Sequence, residues 1–200
     1  MIELSLTEEQ QEIQALARRF AREVIRPAEI ALDKMADPET VFDSPIFRET
    51  LKKAYTLGFH KMGIREDLGG LGLDPVTTGL VWEELAVGGV GITATLLAAP
   101  VAPLFLSVLA SGRTDLIDRF VRPYCEDTGA SRISAWGSSE PNIGSDGSNY
   151  HDPGVHHETK ARKEGTQWVI DGAKSSFVSN GGIADFFLLF CCVDPSKGIP

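Results

Sequence analysis

The stretch Ala135-Trp136-Gly137-Ser138-Ser139-Glu140-Pro141-Asn142-Ile143-Gly144-Ser145-Asp146 begins as the end of an apolar strand and becomes a polar turn. Pro141 fixes φ and removes one amide donor, and Gly144 allows a positive φ or a close backbone approach. The three serines add hydroxyls beside exposed backbone amides, and the tryptophan adds a flat apolar face. Such a turn can hold an oxygen-rich anion such as a pyrophosphate. Ordinary hairpin loops with a buried Trp have the same composition and are common, so the residues alone favour an ordinary loop.

Composition narrows the class of protein. The chain has 200 residues, of which 42% are hydrophobic and 24% charged, as expected of one large or two small soluble domains. A net charge of -9 argues against a general nucleic-acid binder, which would carry a basic excess. It also argues against long-range attraction of an anionic ligand, so any phosphate recognition must be local.

The cysteines and the N-terminus predict an intracellular location. Cys125 and the adjacent pair Cys191-Cys192 are too few and too irregular for a disulfide framework, which favours a reducing compartment. The first residues have no basic and apolar segments of a signal peptide, and no clear transit peptide is seen. We therefore expect a cytoplasmic protein, or a mitochondrial-matrix protein in a eukaryote.

The run between Glu84 and Arg113 contains no charged residue and is long enough to span a bilayer. However, Gly88, Pro100 and Pro103 interrupt it, and no basic cluster flanks it. A helix buried inside a helical domain explains it better, and no membrane partner is expected.

The first half of the chain has helical periodicity. Thr7-Glu8-Glu9-Gln10 has the form of a capping box, and the helix that follows is predicted to end near Arg26-Pro27. Residues 33 to 43 are predicted to form a loop. Three further helices are predicted. The first runs from Ser44-Pro45 to a C-cap at Gly58. The second begins at Asp74-Pro75 and has a buried face made of Val76, Leu80, Val81 and Leu85, and the third is a short helix from Thr114-Asp115 that ends at Pro123.

From about Ser131 the period changes to that of strands. Residues 131–136, 167–171 and 185–193 are predicted to be strands, and the domain boundary is placed near Asp127-Thr128-Gly129. Helices followed by strands without alternation indicate an α+β chain. The predicted domains are an all-α helical bundle over residues 1–127 and the start of an antiparallel β-barrel or sandwich-like domain over residues 128–200.

His151, His156 and His157 cluster with two carboxylates in residues 147–158. Their spacing matches none of the usual zinc ligand patterns, and no cysteine is near. A polar surface insertion is therefore favoured, and no metal is expected.

Two segments together resemble the flavin-binding motifs of the acyl-CoA dehydrogenases. Ser139-Glu140-Pro141 and Gly144-Ser145-Asp146 match the family's T/S-E-P-x-x-G-S-D, and residues 172–181 resemble its G-x-K-x-W-I-T-N-G. The second segment has one extra residue after Lys174. It has Phe177 for the usual Trp and Ser179 for the usual Thr. The phrase Gly69-Gly70-Leu71-Gly72-Leu73, followed by a helix with Glu-Glu-Leu-Ala, is a further resemblance.

The resemblance implies FAD as cofactor and an acyl-CoA as substrate. It implies that Ser139 bonds the isoalloxazine edge, Phe177 lies against the ring, and Ser179 takes the place of the Thr that bonds it. Ser145 is implied to reach both the FAD pyrophosphate and the substrate's pantetheine. The full set of implied cofactor contacts is Trp136, Gly137, Ser138, Ser139, Glu140, Pro141, Gly144, Ser145, Phe177, Val178 and Ser179. Thr93, Thr95 and Leu96 are possible acyl-pocket residues, although core packing accounts for each.

The family reaction is α,β-dehydrogenation of an acyl-CoA thioester, in which a carboxylate removes the α proton and hydride passes to flavin N5. The family's catalytic glutamate lies in a C-terminal helical domain with no counterpart here, so no catalytic residue is assigned. Either the chain is part of a longer polypeptide or it lacks its own base. The alternatives are an oxidase or monooxygenase relative and a non-catalytic FAD-holding subunit. The implied partners are an electron-accepting flavoprotein and further copies in a homodimer or homotetramer.

Overall fold

The structure is a computed structural model that describes residues 5–110, 112–148, 152, 154–175, 178–194 and 196. Helices occupy the chain up to Glu126, and strands follow from Ser134. The helices are α1 (Glu8–Phe20), α2 (Arg26–Asp33), α3 (Pro45–Thr56), α4 (Pro75–Gly88), α5 (Val90–Ala98), α6 (Val101–Leu109), α7 (Thr114–Leu116) and α8 (Arg122–Glu126).

The helix starts predicted from the sequence are confirmed. Thr7 and Gln10 form a reciprocal capping box at α1. Ser44 accepts a hydrogen bond from the Ile46 amide at α3, and Asp74 caps α4. These side chains satisfy amides that no helical carbonyl can reach, so each fixes where its helix begins.

Two prolines that were predicted to end helices lie inside helical segments instead. Pro27 follows a π-helical turn at Ala21–Ile25, and Pro123 follows another at Ile117–Val121. In the widened turns the amides of Arg26 and Arg122 donate to carbonyls five residues back. This shift in pairing accommodates a proline, which has no amide to donate, and the helical segment continues to Asp33. The prediction that the first helix ends near Arg26-Pro27 is therefore wrong. The predicted loop at 33–43 likewise contains a 3₁₀ turn over Pro38–Asp43.

The core lies between the helices of the first half. Its fully buried members include Ala17, Leu51, Val81 and Leu85. The buried face of α4 differs from the prediction, because Val76 is 60% exposed and Thr77 is buried. Thr77 turns inward where its hydroxyl bonds Asp74 and Gln10, which are polar partners that a valine could not use.

The uncharged run forms α5 and α6 with a bend at Pro100. Over Val90–Leu109 it is long and apolar enough to cross a membrane, judged by length and composition only. Ile92, Leu96 and Ala99 belong to the buried core, as expected of packed helices.

The strands form small sheets. Strand β1 (Ser134–Gly137) pairs in parallel with β4 (Phe186–Leu189), and β2 (Lys160–Glu164) pairs antiparallel with β3 (Gln167–Asp171). The expectation of a purely antiparallel domain is therefore wrong, because the long connection between β1 and β4 allows a parallel crossover. No closed barrel is present among the strands of the described ranges. Sequence analysis missed β2 because its residues, Lys-Ala-Arg-Lys-Glu, are almost all charged and exposed.

Strand β1 is fixed to the bend between α5 and α6. The Ser134 hydroxyl donates to the Ala99 carbonyl at 2.8 Å and accepts from the Ala102 amide at 3.1 Å. The Asn180 side-chain amide donates to the Thr95 and Ser134 carbonyls at 3.0 and 3.3 Å. These bonds hold the start of β1 and Asn180 beside α5 and the bend that follows it.

Candidate functional site

The stretch after β1 folds into a tight turn. The Glu140 amide donates to the Ile143 carbonyl at 2.8 Å, and the Ile143 amide returns a bond to Glu140 at 3.2 Å. Pro141 and Asn142 form the exposed tip of the turn. The proline has no amide to donate, but this has no cost at an exposed position because water can donate hydrogen bonds there. A 3₁₀ turn over Ser145–Ser148 follows.

Glu140 is the buried centre of this turn. Its side chain has no exposed surface, and its carboxylate accepts from Lys174 Nζ at 2.6 Å, the Thr159 amide at 3.0 Å and the Glu158 amide at 2.5 Å. Burial alone would raise the pKa of Glu140, but the hydrogen bonds from Lys174, Thr159 and Glu158 outweigh it and lower the pKa to about 2. The carboxylate is thus ionised and its hydrogen-bonding capacity is used by protein groups, which makes it a structural group of the turn and not a ligand contact.

His157 packs against the same carboxylate. Its Nδ1 lies 3.6 Å from Glu140 Oε1, and its ring lies 5.9 Å from the ring of Phe190. Burial, aided by the positive charge of Lys174, outweighs the opposing charge of Glu140 and lowers the pKa of His157, which favours the neutral ring. His157 is only 4% exposed, so the prediction of a polar surface insertion is wrong at this position. It failed because Phe190 and Glu140, which cover the ring, are distant in sequence.

No group of three potential metal ligands comes together among the residues that the structure describes. His151 lies outside those residues.

The two segments that resemble flavin motifs meet in space. The Ser175 amide donates to the Ser139 carbonyl at 2.9 Å, and Lys174 Nζ donates to the Ser138 carbonyl at 3.2 Å. On the other side of the turn, the Phe190 amide donates to the Gly137 carbonyl at 3.0 Å. A Cβ at Gly137 would lie 2.9 Å from Leu189 Cδ1, so a larger residue at the end of β1 would require the Leu189 side chain to move.

Trp136 is half-buried in an aromatic cluster. It stacks on Phe190 at 5.3 Å and meets the edge of Phe105 from α6 at 4.9 Å. Its position beside the turn is therefore fixed by packing from both the helices and the strands.

A cleft of about 330 Å³ opens between α5 and the second segment. Thr95 lines it from the helix, Val178 and Ser179 line it from the segment, and Phe42 also lines it. A larger cleft of about 650 Å³ between α2, the Pro38–Asp43 turn and α5 shares Phe42 and Thr95. Of the three residues considered for an acyl pocket, Thr95 lines both clefts, while Leu96 is a fully buried core residue and Thr93 bonds the Gly89 carbonyl.

The predicted cofactor residues differ in accessibility. Ser138, Ser139 and Val178 are half-buried, whereas Pro141, Gly144, Ser145 and Ser179 are exposed. Phe177 and the neighbouring Ser176 lie outside the described residues. The proposed contact of Phe177 with the cofactor, like those of the other predicted cofactor residues, stays a prediction.

The sequence assigned no role to Asn180 or Lys174. In the structure, Lys174 joins the second segment to the polar turn, and Asn180 joins it to α5 and β1. Asn180 has φ of 62°, a left-handed conformation that asparagine tolerates better than most residues. The dipeptide Asn180-Gly181 could have indicated this turn. The partners of Lys174 could not be found from sequence spacing, because Glu140 lies 34 residues away.

Comparison with known proteins places the helical half of the chain in a family. The family model of the acyl-CoA dehydrogenase N-terminal domain matches residues 7–128. The chain is 27% identical over 197 residues to the short-chain-specific acyl-CoA dehydrogenase of Clostridium acetobutylicum, an alignment covering 98% of this chain and 47% of that protein. The chain spans less than half the length of the curated relatives it matches.

Solved structures with a similar fold include flavoproteins. A structure of PigA with FAD and proline matches with a TM-score of 0.74 and 26% identity, over 98% of this chain and 47% of that one. A structure of the flavoprotein nitroalkane oxidase matches with a TM-score of 0.82 and 25% identity, over all of this chain and 46% of that one. By its helical domain, this chain belongs to the acyl-CoA dehydrogenase family.

Proposed function

We propose that this chain is the flavin-holding part of an FAD-dependent oxidoreductase that forms a 2-enoyl-CoA from an acyl-CoA thioester. The observation that carries the proposal is the contact between the Ser139 turn and the Lys174–Asn180 segment, which brings both flavin-like motifs to one surface. Family membership and the FAD in the similar PigA structure support the same cofactor. In this proposal residues 1–127 are the helical domain and residues 128–200 the start of the β domain.

The groups at this surface suit a dinucleotide. Ser139, Ser145 and Ser179 offer hydroxyls and backbone amides, which can bond neutral ring edges and phosphate oxygens. The carboxylate of Glu140 is neutralised by Lys174, so it does not oppose a pyrophosphate. Recognition through local donors also agrees with the acidic net charge of the chain.

Each residue has a distinct proposed task. Ser139, half-buried in the turn, orients the flavin through its polar edge, and Ser179 does so from the facing segment. Ser145, exposed at the start of the 3₁₀ turn, binds the pyrophosphate and the substrate's pantetheine. Bound FAD supplies the redox chemistry by accepting hydride. The clefts beside Thr95 and Phe42 have linings of mixed polarity and provide space in which an acyl group can bind.

The test uses the complete native polypeptide, mixed with a series of acyl-CoA thioesters without oxygen. We expect the visible flavin absorbance to bleach with at least one thioester and the matching 2-enoyl-CoA to appear. A protein that retains FAD but is bleached by none of them would instead be a non-catalytic FAD-holding subunit. We propose further that the protein is cytoplasmic, forms a homo-oligomer and passes its electrons to another flavoprotein.

An acyl-CoA oxidase is the second candidate, favoured by the likeness to nitroalkane oxidase. The two differ in how the reduced flavin is reoxidised. Rapid consumption of dioxygen during turnover would select the oxidase, whereas turnover that needs an added electron acceptor would select the dehydrogenase.

A further inference from the structure

A buried ion pair joins the two segments that resemble flavin-binding motifs, with Glu140 in the first and Lys174 in the second. The side chains are 0% and 10% exposed, and Nζ lies 2.6 Å from Oε1. Removing two charges from water has a large desolvation cost, so a buried pair is weak evidence for a gain in stability. A geometric role explains the pair better than a stabilising one.

The bonds of the pair connect three separate parts of the chain. Lys174 Nζ also donates to the Ser138 carbonyl in the turn. The carboxylate of Glu140 accepts the amides of Glu158 and Thr159, in the segment that leads into β2. One ammonium and one carboxylate therefore join the turn, the start of β2 and the segment that carries Ser179.

A neighbouring backbone bond completes this connection. The Ser175 amide donates to the Ser139 carbonyl at 2.9 Å, one residue from each member of the ion pair. A single hydrogen bond would hold two segments together but leave them free to rotate. The backbone bond and the ion pair together fix both their separation and their relative orientation.

We propose that Glu140 and Lys174 are a positioning pair that sets the distance between Ser139 and the 178–180 segment, and through it the shape of the flavin site. Neither side chain needs to touch the cofactor, because the charged groups of both are hydrogen-bonded to other protein groups. The inference rests on the proposed binding of FAD.

The experiment measures FAD affinity and melting temperature on the complete native protein, stripped of cofactor and titrated with FAD. The variants are Glu140→Gln, Lys174→Met and the double variant. Arg162→Met is the matched control, because it breaks the exposed Arg162–Glu164 ion pair on β2. We expect each single variant to raise the FAD dissociation constant about tenfold or more, the effect of losing one charged hydrogen bond. The double variant should lose less than the product of the two single losses, and the control should stay near the wild-type value.

A pair that serves only folding would lower the melting temperature equally with and without FAD and leave the dissociation constant unchanged, and that result would overturn the inference. If the single variants do not fold, the FAD affinity of Lys174→Arg is measured instead. This variant keeps the positive charge but changes the positions of the hydrogen-bond donors. A loss of threefold or more in FAD affinity supports the positioning role, and unchanged affinity overturns it. A wild-type protein that binds no FAD would instead refute the proposed function.

Discussion

Ser139 is the residue on which the proposed flavin contact depends most directly. It is half-buried, and its backbone carbonyl is already bound by the Ser175 amide. This bond fixes the backbone of Ser139 before any ligand arrives. A backbone that is already ordered loses little freedom on binding, which is why a single hydroxyl carried on it can matter here.

Replacing Ser139 by Val should weaken FAD binding. Valine is nearly the size of the Thr that the family also uses here, so the change removes mainly one hydrogen bond, worth about 1–3 kcal/mol. This corresponds to roughly five- to hundredfold in affinity. Melting the wild type and the variant with and without FAD is the measurement, and Thr166→Val in the exposed β2–β3 turn is the control. An equal loss of stability in both forms would mean that Ser139 holds the turn and not the flavin.

Glu140 should make stability depend on pH in acid. Its pKa is lowered to about 2 from an ordinary value of 4.5, so the native state favours the ionised form. The resulting stability, up to about 3 kcal/mol, is present above pH 4.5 and is lost as the pH falls toward 2. Urea unfolding of the wild type from pH 7 to 2.5 should show this loss, and Glu140→Gln should show a shallower one. Identical slopes for the two proteins would contradict the assignment.

At the scale of elements, the position of α5 decides where Thr95 meets the second segment. The N-terminus of α5 is capped by a side chain from α2, since Glu29 accepts the Gly91 amide at 2.9 Å and the Ile92 amide at 3.2 Å. Gly89 and Gly91 leave room for this carboxylate, because a Cβ at either would lie within 3 Å of it. A negative group at this end also matches the helix dipole.

Removing this cap should destabilise the helical domain. Glu29→Ala is expected to lower the free energy of unfolding by about 1–3 kcal/mol, because two helix-end amides lose their acceptor. Glu29→Gln, which keeps one acceptor oxygen, should lose less. Chemical denaturation measures the effect, with Glu12→Ala on the exposed face of α1 as control. A loss no larger than that of Glu12→Ala would show that the cap contributes nothing.

Local sequence signals predicted some elements well and others poorly. The caps at Thr7, Ser44 and Asp74 were predictable because each depends on residues one to three positions apart. The helix ends predicted at Pro27 and Pro123 were wrong because a preceding π-helical turn shifts the hydrogen-bond pairing and accommodates a residue without an amide. The sequences of these turns contain no clear signal for a π-helix. The charged strand β2 and the buried His157 were missed because distant partners determine both.

At the scale of the whole molecule, the chain places two flavin-like segments on one surface and supports them from the helical domain. Asn180 and Ser134 carry the connection by hydrogen bonds to α5 and to the bend before α6. The motifs could be located from sequence. Their contact could not, because Glu140, Lys174 and Asn180 find partners 34, 36, 46 or 85 residues away.

The most direct test of the account is the FAD content of the complete protein isolated from its native source. We predict that it carries FAD in stoichiometric amount, visible as flavin absorbance and released intact when the protein is denatured, because the proposed contacts are all non-covalent. A colourless protein that also takes up no added FAD would contradict the account.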